Sequence, residues 1–465
     1  METRDSNLIV ESVKPDLLAP ITGHRSLEGL HGSVAVSDKK GFWRQYMIFA
    51  GPAVLVSVGY MDPGNWATDL DGGAKYKYAL LWVVALSSLM AIFLQICSAR
   101  LGVVTGKDLA QACRDYYPAW TRWPNWLCTE LAIGACDLAE VLGSAVAIKL
   151  LFGIPLLWAV FITAFDVLLL LMLQHLGMRL IEAFIGVLVL TIAGCYFIEI
   201  FVLPQTNPSF LEMGHALITP GFREAGMMYV AIGIIGATVM PHNLYLHSAL
   251  VQTRRFQSDE KSIRQAIKYN TVDSVVSLSV AFMVNASIMV LAAITFFGKK
   301  AVPLPNGGIV QLGGDWIQQA YLTLTPLLGT TSASILFAVA LLASGQSSTI
   351  TGTLAGQVVM EGFMHWRIRP WLRRMITRLA AIVPAIAVIA IRGDNSVNDL
   401  LTLSQVVLGV QLPFAMIPLL QFTSSKRRMG RFANGPLLLT AGWTSCALIT
   451  ALDVYMLWRA FTGQG

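Results

Sequence analysis

Two polar interruptions break long apolar stretches of this sequence, and both contain a proline. Residues 62–65 read Asp-Pro-Gly-Asn after an apolar run that begins at Met47, and residues 240–243 read Met-Pro-His-Asn. Proline removes a backbone N–H donor and clashes with the preceding helical turn, so we expect a helix to open at each interruption. Open backbone at bilayer depth is tolerated only where it is buried in protein or lines a cavity. Two matched breaks therefore indicate a central binding site in a membrane transporter.

The side chains at these breaks suit a divalent transition metal. Asp62 and Asn65 supply oxygen donors, and the opened backbone frees carbonyl groups, which we place at Gly59 and Ala237. Met240 adds a thioether, a soft donor that gives little to Mg²⁺ or Ca²⁺ but is acceptable to Mn²⁺, Fe²⁺ and softer ions. The alternative is that the first motif is only a turn and that Met240 only packs. Their location at bilayer depth favours the metal site.

Ionisable residues within other apolar stretches could carry protons. Glu130, Asp137 and Glu140 are spaced by seven and three residues, which places the three carboxylates on one helical face. Arg374 and Arg378 are four residues apart and share a face of a later helix. Charged residues at this depth are costly and indicate function, so the five predict a polar column through one half of the protein. The alternative is a static ion-pair ladder that holds the helices in register.

His242 lies inside the second interruption, two residues after Met240. Imidazole changes its charge near neutral pH, so His242 could pass protons close to the metal site. A purely structural histidine is the alternative. A cation beside Asp62 disfavours protonation of that carboxylate, and metal binding would therefore promote proton release.

The composition requires elements that cross a membrane. The chain has 465 residues, of which 55% are hydrophobic and only 13% are charged, whereas soluble proteins carry about 25% charged residues. Each crossing needs about 20 apolar residues. We therefore predict an all-α polytopic membrane protein with eleven spans, of which the first and sixth are interrupted: 46–74, 79–101, 124–147, 154–174, 179–203, 226–252, 269–297, 328–352, 375–392, 398–422 and 435–460.

The predicted spans divide into two repeats of opposite orientation. Residues 46–203 hold spans one to five, a linker rich in proline and glycine covers 204–225, and residues 226–424 hold spans six to ten. Because five is an odd number, the second repeat enters the membrane from the opposite side, which gives an inverted repeat. The eleventh span, 435–460, lies outside this pattern.

The placement of lysine and arginine predicts the topology. With the N-terminus in the cytoplasm, 25 of the 33 Lys and Arg residues fall on the inner side, in agreement with the positive-inside rule. An odd number of spans then places the C-terminus outside. Residues 1–45 are polar and have no short apolar core of a signal peptide, so we expect a mobile cytoplasmic tail. The basic residues lie in short loops without interleaved aromatic residues, and nucleic acid is not an expected partner.

Three stretches of the sequence resemble a known family. Residues 58–65, 237–243 and the small-residue run 345–362 are similar to those of the natural resistance-associated macrophage protein (Nramp) family of proton-coupled divalent metal transporters. The resemblance covers about residues 45–425. It implies the 5+5 inverted-repeat fold of the leucine-transporter superfamily. It also implies inward transport of Mn²⁺ across the plasma membrane, with Fe²⁺ and Cd²⁺ as further substrates.

The resemblance also implies roles for individual residues. Four groups would bind the metal and a fifth would close over it: Asp62, Asn65, Met240, the carbonyl of Ala237, and Gln405. Gly59 stands where family members are expected to have alanine; since the ligand there is a carbonyl, we expect ligation to survive. A proton path is implied from Asp62 past His242 and Glu140 to Asp137.

Two other functions stay open at this point. An amino-acid or organic-cation symporter could use the same inverted repeat, although an amino-acid site needs a free helix N-terminus for the substrate carboxylate. A membrane-embedded metal sensor would bind the ion without moving it. The sequence has no P-loop, and His242 and His247 are five residues apart, which does not fit an HExxH-type zinc enzyme. We therefore expect no enzyme and no bound cofactor, with the metal and the protons as transported substrates.

Overall fold

The protein is a bundle of helices, as seen in a computed structural model. The structure describes residues 26–27, 30–36, 41–165, 177–202, 208–257, 259–303, 308–313, 316–328, 331–366, 368–392 and 397–462. Asp166, a lone acid of the predicted fourth span, and residues 1–25 of the predicted tail lie outside the described residues.

The α-helices of the described part are numbered here in chain order. They are α1 Phe42–Phe49, α2 Pro52–Ser57, α3 Pro63–Tyr76, α4 Leu81–Thr105, α5 Leu109–Tyr116, α6 Arg122–Phe152, α7 Leu156–Thr163, α8 Met178–Phe197, α9 Phe210–Ile218, α10 Ala225–Thr238, α11 Pro241–Leu250, α12 Glu260–Phe296, α13 Trp316–Leu328, α14 Thr331–Met364, α15 Pro370–Arg392, α16 Val397–Ser424, α17 Lys426–Met429 and α18 Pro436–Thr462. Four 3₁₀ turns and one π-helical turn join or extend them: Val58–Met61, Ala119–Thr121, Val251–Thr253, Gly430–Phe432 and Ile198–Val202.

The helices agree with the predicted membrane crossings. Eight stretches of the described residues are long and apolar enough to span a bilayer: Leu81–Thr105, Ala119–Phe152, Met178–Val202, Gly226–Thr253, Glu260–Phe296, Thr331–Met364, Leu403–Ser424 and Pro436–Tyr455. Shorter apolar helices cover Pro52–Met61 and Met375–Ile391, in the predicted first and ninth spans. The predicted fourth span begins with α7, and its continuation lies outside the described residues. The all-α polytopic fold is therefore confirmed.

Two of the helices are longer than their predicted spans. The seventh span was predicted from residue 269, but α12 begins at Glu260, because the Asp259 carboxylate accepts hydrogen bonds from the backbone N–H groups of Lys261 and Ser262 and caps the helix. The polar run after Gly345, expected near the end of span eight, lies within α14, which continues to Met364.

Both predicted helix breaks are present. The first span passes from α2 through the 3₁₀ turn Val58–Met61 to Asp62, which is extended, and α3 then begins at Pro63. In the sixth span α10 ends at Thr238, Val239 and Met240 are extended, and α11 begins at Pro241. A proline occupies the first position of each restarted helix, where its missing N–H removes no helical hydrogen bond. The two x-Pro-x-Asn motifs therefore both end one helix and start another.

The broken helices lie at the centre of the bundle. The helix α3 packs against α12, α10, α6 and α16, and α11 packs against α4, α14 and α16. Close approach of α6 to the first break depends on Gly143, because a Cβ at that position would overlap the ring of Pro63. The residues of both breaks are buried. This packing allows the two open segments to meet inside protein, as opened backbone at membrane depth requires.

Part of the expected mobile tail is docked on the helix bundle. The strand β1, Val34–Ala35, pairs in parallel with β2, Arg254–Arg255, directly after the sixth span. The backbone N–H of Leu27 donates to Glu361 Oε2 of α14 at 2.8 Å. Two further strands, β3 Ala301–Pro303 and β4 Ile309–Gln311, form an antiparallel hairpin before α13.

Candidate functional site

The charged group of the site is Asp62, in the gap between the two helices of the first span. Its Oδ1 accepts hydrogen bonds from the backbone N–H of Asn65 at 2.9 Å and from the Asn65 side-chain amide at 2.7 Å. The carboxylate therefore caps α3, which holds it in a fixed position. Its second oxygen, Oδ2, is buried and has no hydrogen-bond partner among the described residues. A buried carboxylate oxygen without a donor is suited to accept a cation.

Asn65 connects the two breaks. Its Nδ2 donates to Asp62 Oδ1 and, at 3.0 Å, to the backbone carbonyl of Ala237 in the sixth span. One amide group thus lies between a carboxylate from the first break and a carbonyl from the second. Both partners are acceptors, and turning the amide over would present Asn65 Oδ1 as a third. The three groups are the oxygen donors expected of a site for a divalent cation.

Two polar residues beside Asn65 support this arrangement. Thr238 Oγ1 and Asn285 Nδ2 each lie 3.4 Å from Asn65 Oδ1. Asn285 also donates to the carbonyl of Tyr60 at 2.8 Å, which holds the backbone just before Asp62. Neither was predicted as a site residue, and for Asn285 the reason is that no spacing in the sequence relates α12 to the first break.

Gln405 of α16, for which the family resemblance implies closure over the metal, lies against the first break. Gly64 leaves the space that its side chain occupies, since a Cβ on Gly64 would overlap the Gln405 amide group. Gln405 Nε2 donates to Ser404 Oγ at 3.0 Å, and Gln405 Oε1 has no partner among the described residues. A second buried oxygen without a donor among the described residues is therefore present beside Gly64.

Met240 and Gly59, the other predicted ligand positions, are buried in the same two breaks. Met240 is the extended residue that precedes α11 and clusters with Ala132, Cys136 and Leu408, all of them buried. Gly59 lies in the 3₁₀ turn before Asp62. The thioether of Met240 thus lies in a buried, largely apolar environment.

Two of the predicted proton-path acids lie side by side. Glu140 Oε1 accepts hydrogen bonds from Ser348 Oγ at 2.9 Å and from Cys136 Sγ at 3.5 Å. A Cβ on Gly352 would lie 3.0 Å from Glu140 Oε1 and 3.7 Å from Asp137 Oδ1, so α14 passes both carboxylates closely. The small residues of the run 345–353 therefore make room for, and donate to, the acids of α6.

Cys136 links His242 to these acids. The sulfur of Cys136 lies 3.8 Å from His242 Nε2 as well as 3.5 Å from Glu140 Oε1. His242 is buried, one residue after the proline of the second break. Sequence reasoning did not select Cys136, although its position four residues before Glu140 on a helix was a signal for a shared face.

Among the described side chains, Arg373 of α15 pairs with Glu130. Arg373 Nη2 donates to both Glu130 oxygens, at 2.8 and 3.1 Å, and both side chains are largely buried. The pair needs Gly356, because a Cβ there would overlap the guanidinium of Arg373. Arg373 lies in the first turn of α15, which begins at Pro370, and it reaches across to α6. The side chain of Arg374 lies outside the described residues.

Arg378 is buried in α15 and donates to the carbonyl of Thr163 in α7 at 3.3 Å. It is also close enough to Asp137 and Glu140 to interact with both electrostatically. The predicted polar column between α6 and α15 is thus present, with Arg373 and Arg378 as its described cations.

A second charged cluster surrounds the start of α2. Glu182 binds Arg254 through both carboxylate oxygens, and their side chains are 6% and 1% exposed. Asp273 Oδ2 accepts from the backbone N–H groups of Gly51 and Ala53 at 3.2 and 2.9 Å. Arg254 holds Glu182 inside the protein. The Glu182 carboxyl group fits at this position because residue 51 is glycine; a Cβ on Gly51 would overlap it.

The donor set differs from that of a resident metal centre. Within the described residues no group of three or more His, Cys, Asp and Glu side chains could hold a metal ion. The central site instead offers one carboxylate, amide oxygens, backbone carbonyls and one thioether. A single charged ligand suits an ion that must be released again.

Comparisons with known proteins agree with this geometry. A family model described as "Natural resistance-associated macrophage protein-like" matches residues 53–459. A protein named "Divalent metal cation transporter MntH" from a Nostoc species is 49% identical over 446 residues, which cover 96% of this chain and 98% of that protein. A protein of the same name from Mesorhizobium japonicum is 48% identical over 443 residues, or 95% of each chain.

Solved structures match the fold. A manganese transporter from Eremococcus coleocola has a TM-score of 0.83 at 37% identity, covering 93% of this chain and 90% of that chain. Mhp1, a nucleobase-cation-symport-1 family transporter in a closed conformation, has a TM-score of 0.56 at 14% identity, covering 89% and 93%. The second likeness concerns the fold alone. Together they confirm the predicted 5+5 inverted repeat with broken first and sixth helices.

Proposed function

The chain belongs to the Nramp family of membrane transporters, which are not enzymes, and from that premise we propose that it imports divalent transition-metal ions together with protons. Mn²⁺ is the principal proposed substrate, and Fe²⁺ and Cd²⁺ are further ones. The relatives named as divalent metal cation transporters, and the manganese transporter of the same fold, support the metal class.

One observation carries the proposal: the Asn65 amide lies between Asp62 Oδ1 and the Ala237 carbonyl. Each acceptor comes from a different broken helix, so an ion that replaced the amide hydrogens would be held by both halves of the protein. Binding of that kind links the substrate to the relative position of the two helices. This link is what alternating access requires of a central site.

The thioether of Met240 supports selection of transition metals. Mg²⁺ and Ca²⁺ are hard cations that gain little from sulfur, whereas Mn²⁺, Fe²⁺ and especially Cd²⁺ accept it. Met240 is buried in a cluster with Ala132, Cys136 and Leu408. Asp62, Asn65, the carbonyls of Gly59 and Ala237, and Gln405 would supply the oxygens.

Protons would use a separate branch of polar residues. A proton from Asp62 would pass His242 and Glu140 to reach Asp137, and the Cys136 contacts to His242 and Glu140 support this order. Arrival of a cation at Asp62 lowers the affinity of that carboxylate for a proton, which couples the two substrates. Arg378 and the pair of Glu130 with Arg373 would balance the charge of this branch.

The proposed setting is the plasma membrane. The excess of basic residues in alternate loops supports a cytoplasmic N-terminus. Eleven crossings then place the C-terminus outside. The lipid bilayer, the metal and protons are the proposed partners.

The two alternative functions are disfavoured by particular contacts. An amino-acid symporter needs a free helix N-terminus for the substrate carboxylate. The N-terminus of α11 is free of a side-chain cap, but the Asp62 carboxylate, which caps α3 at the other break, would repel a substrate carboxylate. A sensor would bind the ion without moving it, and would not need two broken helices that share the ligands.

The deciding experiment is uptake by purified protein in proteoliposomes, with internal pH recorded. We expect Mn²⁺ uptake with internal acidification, competition by Fe²⁺ and Cd²⁺, and little competition by Mg²⁺ or Ca²⁺. Asp62→Ala is expected to abolish uptake. Transport by that variant at the wild-type rate would reject the site, and metal binding without uptake by the wild type would favour a sensor.

A further inference from the structure

Asn243 is a buried amide that the proposed mechanism does not use. Its side chain is fully buried in α11, and neither Oδ1 nor Nδ2 has a hydrogen-bond partner among the described residues. Burial of an amide with both groups unpaired is costly, so such groups are usually satisfied by protein, water or a ligand. The groups around the Asn243 amide therefore show which ligand could satisfy it.

The Asn243 amide lies against Gly59. A Cβ on Gly59 would overlap Asn243 Nδ2 and would lie 3.1 Å from its Cγ and 3.2 Å from its Oδ1. Gly59 belongs to the 3₁₀ turn that leads to Asp62. The unpaired amide is thus in contact with the opened backbone of the first break.

The position of Asn243 repeats that of Asn65. Asn65 follows Asp62 by three residues and donates to the carbonyl of Ala237, which precedes Met240 by three. Asn243 follows Met240 by three residues and contacts Gly59, which precedes Asp62 by three. In each broken helix, the asparagine of the x-Pro-x-Asn motif therefore contacts the residue that lies three positions before the Asp or Met of the other break. An inverted repeat predicts this correspondence.

We propose that Asn243 is a second amide ligand of the transported cation and binds it through Oδ1. The inference rests on the proposed function, because it adds a donor to the same site. An additional oxygen matters most for Mn²⁺, which prefers oxygen donors in octahedral sites. Cd²⁺ is softer and depends more on the sulfur of Met240.

Gly59 has a defined role under this proposal. Any side chain at residue 59 displaces the Asn243 amide, so glycine is required to keep the oxygen at the site. Gly59→Ala should therefore have the effect of losing Asn243, although the Gly59 carbonyl is retained. The two substitutions should not add, because both remove the same ligand.

The test is calorimetric binding of Mn²⁺ and of Cd²⁺ to the purified full-length protein in detergent. Asn243→Ala is expected to weaken Mn²⁺ binding by about 10-fold or more, in the range seen for lost supporting groups of metal sites, and Cd²⁺ binding clearly less. Gly59→Ala should match it, and the double variant should be no weaker than either. Asn270→Ala is the matched control, since Asn270 is equally buried but donates to Ala266 within α12.

The variant Asn243→Asp distinguishes loss of a ligand from misfolding, because aspartate has nearly the same size as asparagine and keeps an oxygen donor. It should bind Mn²⁺ at least as tightly as wild type. Mn²⁺ affinity of Asn243→Ala within twofold of wild type, or equal weakening by Asn243→Asp and Asn243→Ala, would overturn the inference. Failure of the wild type to bind Mn²⁺ would instead reject the proposed function.

Discussion

Removal of the carboxylate charge at Glu182 tests whether the cluster at the start of α2 stabilises the protein. The substitution Glu182→Gln preserves the shape of the side chain but removes its charge. Arg254 is then buried, at 1% exposure, without its bidentate carboxylate partner. The Ala50 carbonyl and Thr253 Oγ1 still accept hydrogen bonds from it, but neither carries a charge.

The expected effect is large. Breaking a buried ion pair by removal of one partner costs about 3–5 kcal/mol when the remaining charge is left uncompensated. Asp273 also interacts electrostatically with Arg254, so we expect a loss near the lower end of this range. A loss of this size lowers the ratio of folded to unfolded protein at least about 100-fold. The second contact of Glu182, with Arg179 at 3.1 Å, adds little, since the Arg179 side chain is 45% exposed.

The measurement is the free energy of unfolding by SDS in mixed micelles, for the purified wild type and two variants. Glu260→Gln is the matched control, because Glu260 also binds two arginines, Arg264 and Arg431, but at the surface. Exposed pairs of this kind often contribute nothing measurable. If Glu182→Gln unfolds like Glu260→Gln, the burial argument is refuted, and water must reach Arg254.

Three further predictions concern Met240 at the proposed metal site, Asp137 on the proposed proton path, and Asp108, a buried acid outside the predicted spans. Met240→Ala should keep Mn²⁺ uptake but admit Ca²⁺ or Mg²⁺, since loss of sulfur removes the discrimination against hard ions; unchanged Ca²⁺ competition would mean that the thioether only packs. Asp137→Asn should reduce metal-stimulated acidification more than metal binding, and equal loss of both would indicate a structural role. Burial raises the pKa of Asp108, the cap of α5, to about 7 from an ordinary value of 3.8. The raised pKa contributes about 4 kcal/mol to the free energy of unfolding at low pH. This contribution is fully present below pH 3.8 and is lost as the pH rises through about 7. Asp108→Asn keeps the cap and should flatten the thermal-stability profile over this range; an unchanged profile would assign the pH dependence to other groups.

The two helix breaks could be predicted from the residues at the breaks alone. A proline at the first position of a restarted helix, preceded by a residue that can be extended, specifies a break wherever it occurs, so Asp62 and Met240 could be placed without coordinates. The donor set that we inferred from the residue types at the breaks stays a prediction. The shared face of Asp137 and Glu140 followed from helical periodicity alone.

Partners across helices could not be predicted in the same way. The pairing of Arg373 with Glu130 depends on where α15 begins and on the space left by Gly356. Glu182 is near a span end in the sequence, and only the position of Arg254 keeps it buried.

The sequence by itself determined the membrane class and the two helix breaks, because each depends on hydrophobicity or backbone chemistry within a few residues. Only the tertiary structure decided which groups meet. It brought Asn65 to the Ala237 carbonyl, Cys136 between His242 and Glu140, and Asn243 to Gly59. These contacts join residues far apart in the chain, and they depend on helix packing that no local pattern encodes.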